Sequence, residues 1–296
     1  MSNTIPYTYT PVPSFVTKYD KEKYWAEEKR RCVEGYNGLS PKHYFYLSQC
    51  KIKDGTSGNI IRPYYRDCDQ IIFEAIELAE KNEQELGVIK RREIGLTSIG
   101  GGCLPIYYMR FHAGSLSLIT SCDKPRIFRI MEDKSAVVFD NLHKDLAANF
   151  IETNRNQTRS NVGLKAKIEV LNDEGGLESR YSEIFCSETV QNPKAFSSAR
   201  AKFAFFDEIM LHPKREELIS SSAPCFMQGT KKTGFLLWGG TVEDGIPQES
   251  INALRKLVGD TKSSNTLLLF IEGWQGLFLE NGYTNKQKGL DWINSE

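Results

Sequence analysis

Residues 86–98, Leu86-Gly87-Val88-Ile89-Lys90-Arg91-Arg92-Glu93-Ile94-Gly95-Leu96-Thr97-Ser98, decide how the chain is read. A short apolar run over 86–89 has the character of a buried strand and passes into a basic loop carrying a glycine and two hydroxyls. A phosphate loop needs these parts: glycine for a tight turn, amide N–H groups aimed at anionic oxygens, a cation near the transferred phosphoryl group, and a hydroxyl for magnesium. Gly95 and Thr97 supply the turn and the hydroxyl. Leu96 stands where the standard G-x-x-x-x-G-K-[ST] pattern has lysine, so the cation has to come from Lys90, Arg91 or Arg92. Alone, such a basic loop before a helix is more often a solvated surface segment.

Two later strand ends give it company. Phe203-Ala204-Phe205-Phe206 ends in Asp207-Glu208, the Walker B arrangement, in which the aspartate holds hydrated Mg²⁺ and the glutamate polarises the attacking water. Gly234-Phe235-Leu236-Leu237-Trp238 reads as a strand that ends in a Gly239-Gly240-Thr241 turn, whose glycines let the Thr241 hydroxyl approach a γ-phosphate. Ligands in open α/β sheets bind at the carboxyl ends of strands. Three such ends in this order predict an ATP–Mg²⁺ site. Its expected residues are Lys90, Arg91, Arg92, Glu93, Ile94, Gly95, Leu96, Thr97, Ser98 and Thr241 for the nucleotide, Thr97 and Asp207 for the metal, and Glu208 with Arg92 for catalysis.

Working outward, residues 1–20 carry three prolines and little periodicity, an extended arm or disordered leader, and 21–34 form a charged helix. Tyr44-Phe45-Tyr46-Leu47 reads as a short strand before a turn at Asp54-Gly55. Ile71, Ile72, Ala75, Ile76 and Leu78 place a helix over 68–82, and Ser115–Thr120 forms a strand. Pro125 opens a helix that runs from Phe128 to Val138. Residues 152–180 read as strands and loops around 173–176, and Thr266–Ile271 as another buried strand. Continuous apolar strands alternating with helices predict an α/β fold: a P-loop NTPase three-layer sandwich with a mostly parallel central sheet. The expected division is an N-terminal arm and helix at 1–40 and a P-loop ATPase domain at 41–296.

Composition narrows the class further. Lys plus Arg equals Asp plus Glu at 38 each, so any nucleic-acid contact has to come from a local patch. Lys231-Lys232 and Lys124-Pro125-Arg126 are the basic clusters, and both read as solvated surface. The seven cysteines show no C-x-x-C spacing and read as reduced, buried small hydrophobes. No run approaches the roughly 20 apolar residues that span a bilayer. A soluble intracellular protein with no membrane partner is the expectation.

At these motifs the chain resembles phage terminase large subunits, the DNA-packaging motors. Lys90–Thr97 is similar to that family's deviant phosphate loops, in which arginines precede the glycine and the lysine is displaced to the loop's start. Phe205-Phe206-Asp207-Glu208 looks like its Walker B motif, and Trp238-Gly239-Gly240-Thr241 resembles its coupling motif. Arg62-Pro63-Tyr64-Tyr65-Arg66-Asp67 resembles the segment that contacts adenine, which implies Tyr65 and Arg66 as further nucleotide contacts. Phe270–Leu277 and Gly282-Tyr283 resemble a loop that follows the coupling motif. The likeness covers roughly residues 40–296. It implies ATP hydrolysis with Mg²⁺ that drives double-stranded DNA into a procapsid. It also implies a portal protein and a small terminase subunit as partners, a homo-oligomeric ring, and the host cytoplasm as location.

The family's motor is followed by a metal-dependent nuclease. This sequence stops at Glu296 and has no acidic two-metal cluster after 241, so no cutting is expected of it. Glu93 departs from the pattern too, since a carboxylate beside a triphosphate is unfavourable unless an arginine pairs it. Arg200, seven residues before Asp207, serves either as an arginine finger or as the holder of a turn, and the turn is favoured. Two other functions share the motifs: a degenerate P-loop protein that binds nucleotide or assembles without hydrolysis, and a helicase-like translocase, for whose second motor domain 296 residues leave no room.

Overall fold

The computed structural model describes residues 7–91, 94–158, 161–172, 174–241 and 265–295. Residues 7–17 form no regular element, yet they lie on the body of the protein. The Tyr7 ring meets Tyr44 edge-on at 5.6 Å, and the Arg62 guanidinium sits 3.8 Å from the centre of the Tyr9 ring. Over these residues the arm is therefore extended and packed rather than loose.

Helix α1 (Lys18–Glu34) starts at Thr17, whose hydroxyl accepts from the Asp20 amide. Helix α2 (Pro41–Gln49) starts at Ser40 with proline in its first turn. This corrects the strand expected at 44–47. Every residue from Lys42 to Gln49 is buried, so the helix is enclosed all round and its apolar run shows no helical stripe. A small hairpin, β1 (Ile52–Lys53) with β2 (Ile60–Ile61), precedes α3 (Asp67–Lys81). Ile72, Phe73, Ile76 and Ala79 bury one face of α3, and Asp67 and Asp69 at its first turn suit the helix dipole.

Strand β3 (Glu85–Lys90) leads through the loop into α4, built without a break from Leu96–Ser98, a π-helical turn Ile99–Cys103, and Leu104–Phe111. Strand β4 (Leu116–Thr120) is followed by α5, which joins Lys124–Ile130, a second π-helical turn Met131–Ser135, and Ala136–Asp140. Three long strands come next: β5 (Phe150–Gln157), β6 (Asn161–Leu171) and β7 (Leu177–Ser187). Then follow β8 (Phe203–Phe206), α6 (Arg215–Ser222), the short pair β9 (Met227–Gln228) and β10 (Lys231–Lys232), β11 (Phe235–Thr241), β12 (Thr266–Ile271) and α7 (Lys286–Ser295).

Eight strands form one sheet in the order β12-β3-β11-β8-β4-β7-β6-β5. Five of its seven pairings are parallel; β6 is antiparallel to both β7 and β5. Successive residues of β8 enter two different cores. Phe203 and Phe205 join the cluster of α2, α3 and α4, whereas Ala204 and Phe206 join Ile209, Met210, Leu218 and Phe226 on the other face. A strand buried on both sides is the middle of three layers, as expected from its unbroken apolar run.

The glycine triplet 100–102 also finds its reason here. A Cβ on Gly100 would stand 2.4 Å from Phe205, and one on Gly101 2.5 Å from Ile130, so α4 lies against the sheet and α5 at glycine distance. All seven cysteines are free, and six are buried, consistent with their reading as small hydrophobes. Among the described residues no helix is long and apolar enough to cross a membrane.

Candidate active site

Sheet order brings the expected motifs together. β11 lies between β3 and β8, with Thr241 in register with Lys90 and Trp238 in register with Phe206. Strands β3, β11 and β8, which carry the three expected motifs, thus end side by side.

One expectation needs correcting at this point. Gly239, Gly240 and Thr241 are not a turn but the last three residues of β11. Their glycines make room for protein rather than phosphate. A Cβ on Gly239 would lie 2.2 Å from Leu96 Cδ2, and one on Gly240 2.5 Å from Met210 Cγ. Leu96, at the usual lysine position, is fully buried and fills the gap that Gly239 leaves.

Lys90, the first of the three candidate cations, has a defined place. Lys90 is 7% exposed, and its Nζ donates to Thr241 Oγ1 at 3.1 Å. Its ammonium is 3.6 Å from Glu208 Oε1. Glu208 in turn accepts from the Thr241 amide at 3.0 Å and the Thr241 hydroxyl at 3.1 Å. It does so from a left-handed backbone conformation, φ 47° and ψ 42°, which a non-glycine residue keeps only when its surroundings hold it there.

Asp207 has a different partner, and its Oδ1 accepts from Thr97 Oγ1 at 3.2 Å. Burial first, then the adjacent Glu208 charge, pushes its pKa up to about 6, against the pull of Lys90, the Thr97 hydroxyl and Arg126. The two oxygens are hard donors, so the pair fits a magnesium ion. No group of three or more His, Cys, Asp or Glu able to hold a metal occurs among the described residues. Such a site suits an ion that takes few protein ligands and fills its shell with water and phosphate oxygens, as Mg²⁺ does.

The loop itself is braced from outside. Gly95 has φ +87°, and α4 begins right after it, so the Leu96 and Thr97 amides belong to a first turn in which amides have no partner within their own helix. Arg66 Nη2 donates to Ile94 O at 2.8 Å and to Asp69 Oδ1 at 2.6 Å, while Nε reaches Asp69 Oδ2 at 2.8 Å. A Cβ on Gly95 would stand 2.6 Å from that guanidinium. Tyr65, 5% exposed, donates to Gln70 Oε1 at 2.6 Å and packs 5.5 Å from Tyr283. Arg91 Nη1 donates to Gly273 O at 2.8 Å and ties the loop to the segment after β12. Ile94 is buried, as is most of Ser98. Arg92 and Glu93 lie outside the described residues.

Other basic residues sort by position. Arg200 Nη1 donates to Met227 O at 2.6 Å, the turn-holding role, at the opposite end of the sheet from Lys90. Lys124 and Arg126 are surface residues, Arg126 being paired with Asp123 at 3.1 Å. Lys232 departs from the expected solvated pair: it is half-buried, and burial holds its pKa below the usual lysine range. Half-buried Lys134 on α5 was not anticipated. Burial lowers its pKa, and both Asp133 and Asp207 raise it, so it lies in the field of the Asp207 carboxylate. Nothing in its sequence context marks it, because α5 meets α4 only through the fold.

No protein-family model matches the chain, and no curated protein matches its sequence. Among solved structures, the large terminase of bacteriophage HK97 is similar with a TM-score of 0.51 at 10% identity, covering 85% of this chain and 50% of that one. The ATPase domain of the large terminase of Thermus phage P74-26 is similar with a TM-score of 0.46 at 13% identity, covering 75% of this chain and 85% of that domain. The fold, a large central sheet of mostly parallel strands between helical layers, is one shared with the HK97 large terminase, and the chain spans half the length of that protein.

Proposed function

We propose that the chain is the ATP-hydrolysing motor of a DNA-packaging machine. The observation that carries this reading is the convergence of Lys90, Thr97, Asp207, Glu208 and Thr241 at adjacent strand ends beside the start of α4. The first-turn amides of α4 cradle phosphate oxygens, and Lys90, with Arg91 or Arg92 from the loop, balances their charge. Thr97 and Asp207 hold Mg²⁺, which when bound neutralises charge on the transferred phosphoryl group. Glu208 orients the attacking water, and Thr241 responds to the γ-phosphate through the same hydroxyl that binds Glu208. Phosphoryl transfer asks mainly for positioning and charge stabilisation, which these groups supply. Double-stranded DNA is the cargo, with a portal protein and a small terminase subunit as partners and a homo-oligomeric ring as the working form.

One observation favours a second reading, nucleotide binding without turnover: both Glu208 oxygens are already bonded to Thr241. Mg²⁺-dependent ATP hydrolysis by the purified chain separates the two, measured beside Glu208→Gln and Arg92→Ala. Turnover lost in both variants supports the motor. Binding without turnover in the unaltered chain supports the second reading, and absence of binding overturns both.

A further inference from the structure

Just behind the Walker B pair lies a buried chain of side chains that the proposed mechanism does not use. Lys214 N donates to His212 Nδ1 at 3.2 Å, which makes Nδ1 an acceptor and puts the ring hydrogen on Nε2. Nε2 is 3.0 Å from Thr189 Oγ1. Thr189 Oγ1 is 2.7 Å from Thr120 Oγ1, and Thr120 spends its one hydroxyl hydrogen on Ser187 O at 2.9 Å. Only one direction satisfies every group: His212 donates to Thr189, Thr189 to Thr120, and Thr120 to Ser187 O. Thr120 and Thr189 are fully buried and His212 is 1% exposed, so no water substitutes for a lost member.

This chain grips the catalytic turn from behind. Thr120 is the last residue of β4, and its carbonyl accepts from the Asp207 amide at 2.9 Å. Glu208 is joined to His212 by one short helical turn, with Leu211 N on Glu208 O and His212 N on Ile209 O, both at 3.0 Å. Met210 in that turn fills the space left by Gly240, one residue before Thr241. The strained Glu208 backbone is thus held between Met210 on β11 and His212 on the ends of β4 and β7.

We propose that His212 is a positioning residue of the hydrolytic site, fixing the Glu208 turn through Thr189 and Thr120, and that it does so only as the neutral Nε2–H tautomer. The inference rests on the hydrolase reading above. A protonated ring would set an Nδ1–H against the Lys214 amide and lose the bond that fixes the ring's orientation toward Thr189. Burial keeps the His212 pKa below its ordinary value; of the charged groups around it, Glu188 raises that value and Lys214 and Arg215 lower it. The lock therefore stays closed at neutral pH.

The test uses the full chain with His212→Ala, His212→Gln and Thr189→Val, measuring steady-state ATP turnover and nucleotide binding. A misplaced Glu208 lowers kcat by about 10²-fold with KM and nucleotide affinity unchanged in His212→Ala and Thr189→Val. His212→Gln, which keeps an N–H where Nε2 stood, recovers most of the loss. An effect on KM alone, or a glutamine variant no better than alanine, overturns the proposal. ¹⁵N–¹H NMR of the His212 ring reads the lock without catalysis. The Nε2–H tautomer from pH 8 to 6 supports it, and an Nδ1–H tautomer or an imidazolium overturns it. If the unaltered chain hydrolyses no ATP, the hydrolase reading fails, and the ring tautomer alone then decides the lock.

Discussion

Glu208 and Thr241, 33 residues apart in sequence, share two hydrogen bonds: both glutamate oxygens accept from the one threonine, through its amide and its hydroxyl. The same hydroxyl accepts from Lys90, so the Lys90 ammonium, the Glu208 carboxylate and the end of β11 form one connected unit. A phosphate that engaged Lys90 or Thr241 would necessarily disturb Glu208. In the proposed motor, that linkage would couple the nucleotide's state to Glu208.

Thr241→Val removes the hydroxyl while keeping the amide bond to Glu208. Turnover is expected to fall by about 10–10²-fold with nucleotide affinity little changed, whereas Glu208→Gln costs about 10²–10⁴-fold. Steady-state ATPase assays beside nucleotide-binding titrations check both. Equal losses of binding and turnover in Thr241→Val would show that the threonine merely binds nucleotide.

Asp207 gives a pH signature. Its folded pKa, about 6, lies above the ordinary carboxylate value of 3.8, so between these values the folded chain holds a proton that the unfolded chain releases. The residue's contribution to stability is therefore full below about pH 4 and declines as pH rises to about 6. Without metal, the unaltered chain should lose stability across that window relative to Asp207→Asn. Mg²⁺ should weaken that loss, because it competes with the proton for the same oxygens. Denaturant titrations at pH 4 and 7 measure the difference, and parallel slopes in the two proteins would refute the assignment.

Arg66 distinguishes a brace from a base contact. Arg66→Ala leaves the fully buried Asp69 without its partner, so a loss of about 3–5 kcal/mol is expected. Lysine should not restore it, since it cannot span both Asp69 oxygens and the Ile94 carbonyl. In whatever folded fraction remains, the preference for ATP over GTP should be unchanged. A switch in that preference would place Arg66 on the adenine instead.

Restoring the standard lysine with Leu96→Lys should not improve turnover. Position 96 is fully buried against Gly239, so the new ammonium would be forced into an apolar gap and the melting temperature should drop. Gly100→Ala probes the same packing, and overpacking against Phe205 should cost about 1–3 kcal/mol. Thermal denaturation of both variants is sufficient, and an unchanged midpoint in either would contradict the packing described.

The sequence by itself determined the layered α/β fold and the strand ends where the candidate site lies. Those depend on local patterns: Phe203–Phe206 is apolar without alternation because it is buried on both faces, and Asp207-Glu208 follows where the apolar run stops. It misread Tyr44–Leu47, because a helix enclosed on all sides shows no stripe. It also took Gly239-Gly240 for a turn, because a glycine vacated for Leu96 or Met210 looks the same in sequence as one vacated for a ligand. Only the tertiary structure decided that Lys90 meets Thr241 across 151 residues, that Arg66 holds Ile94 O, and that His212 reaches Thr120 through Thr189. Lys90 and Thr241 meet because β3 and β11 lie side by side, and strand order is a property of the whole packed sheet that no local pattern encodes.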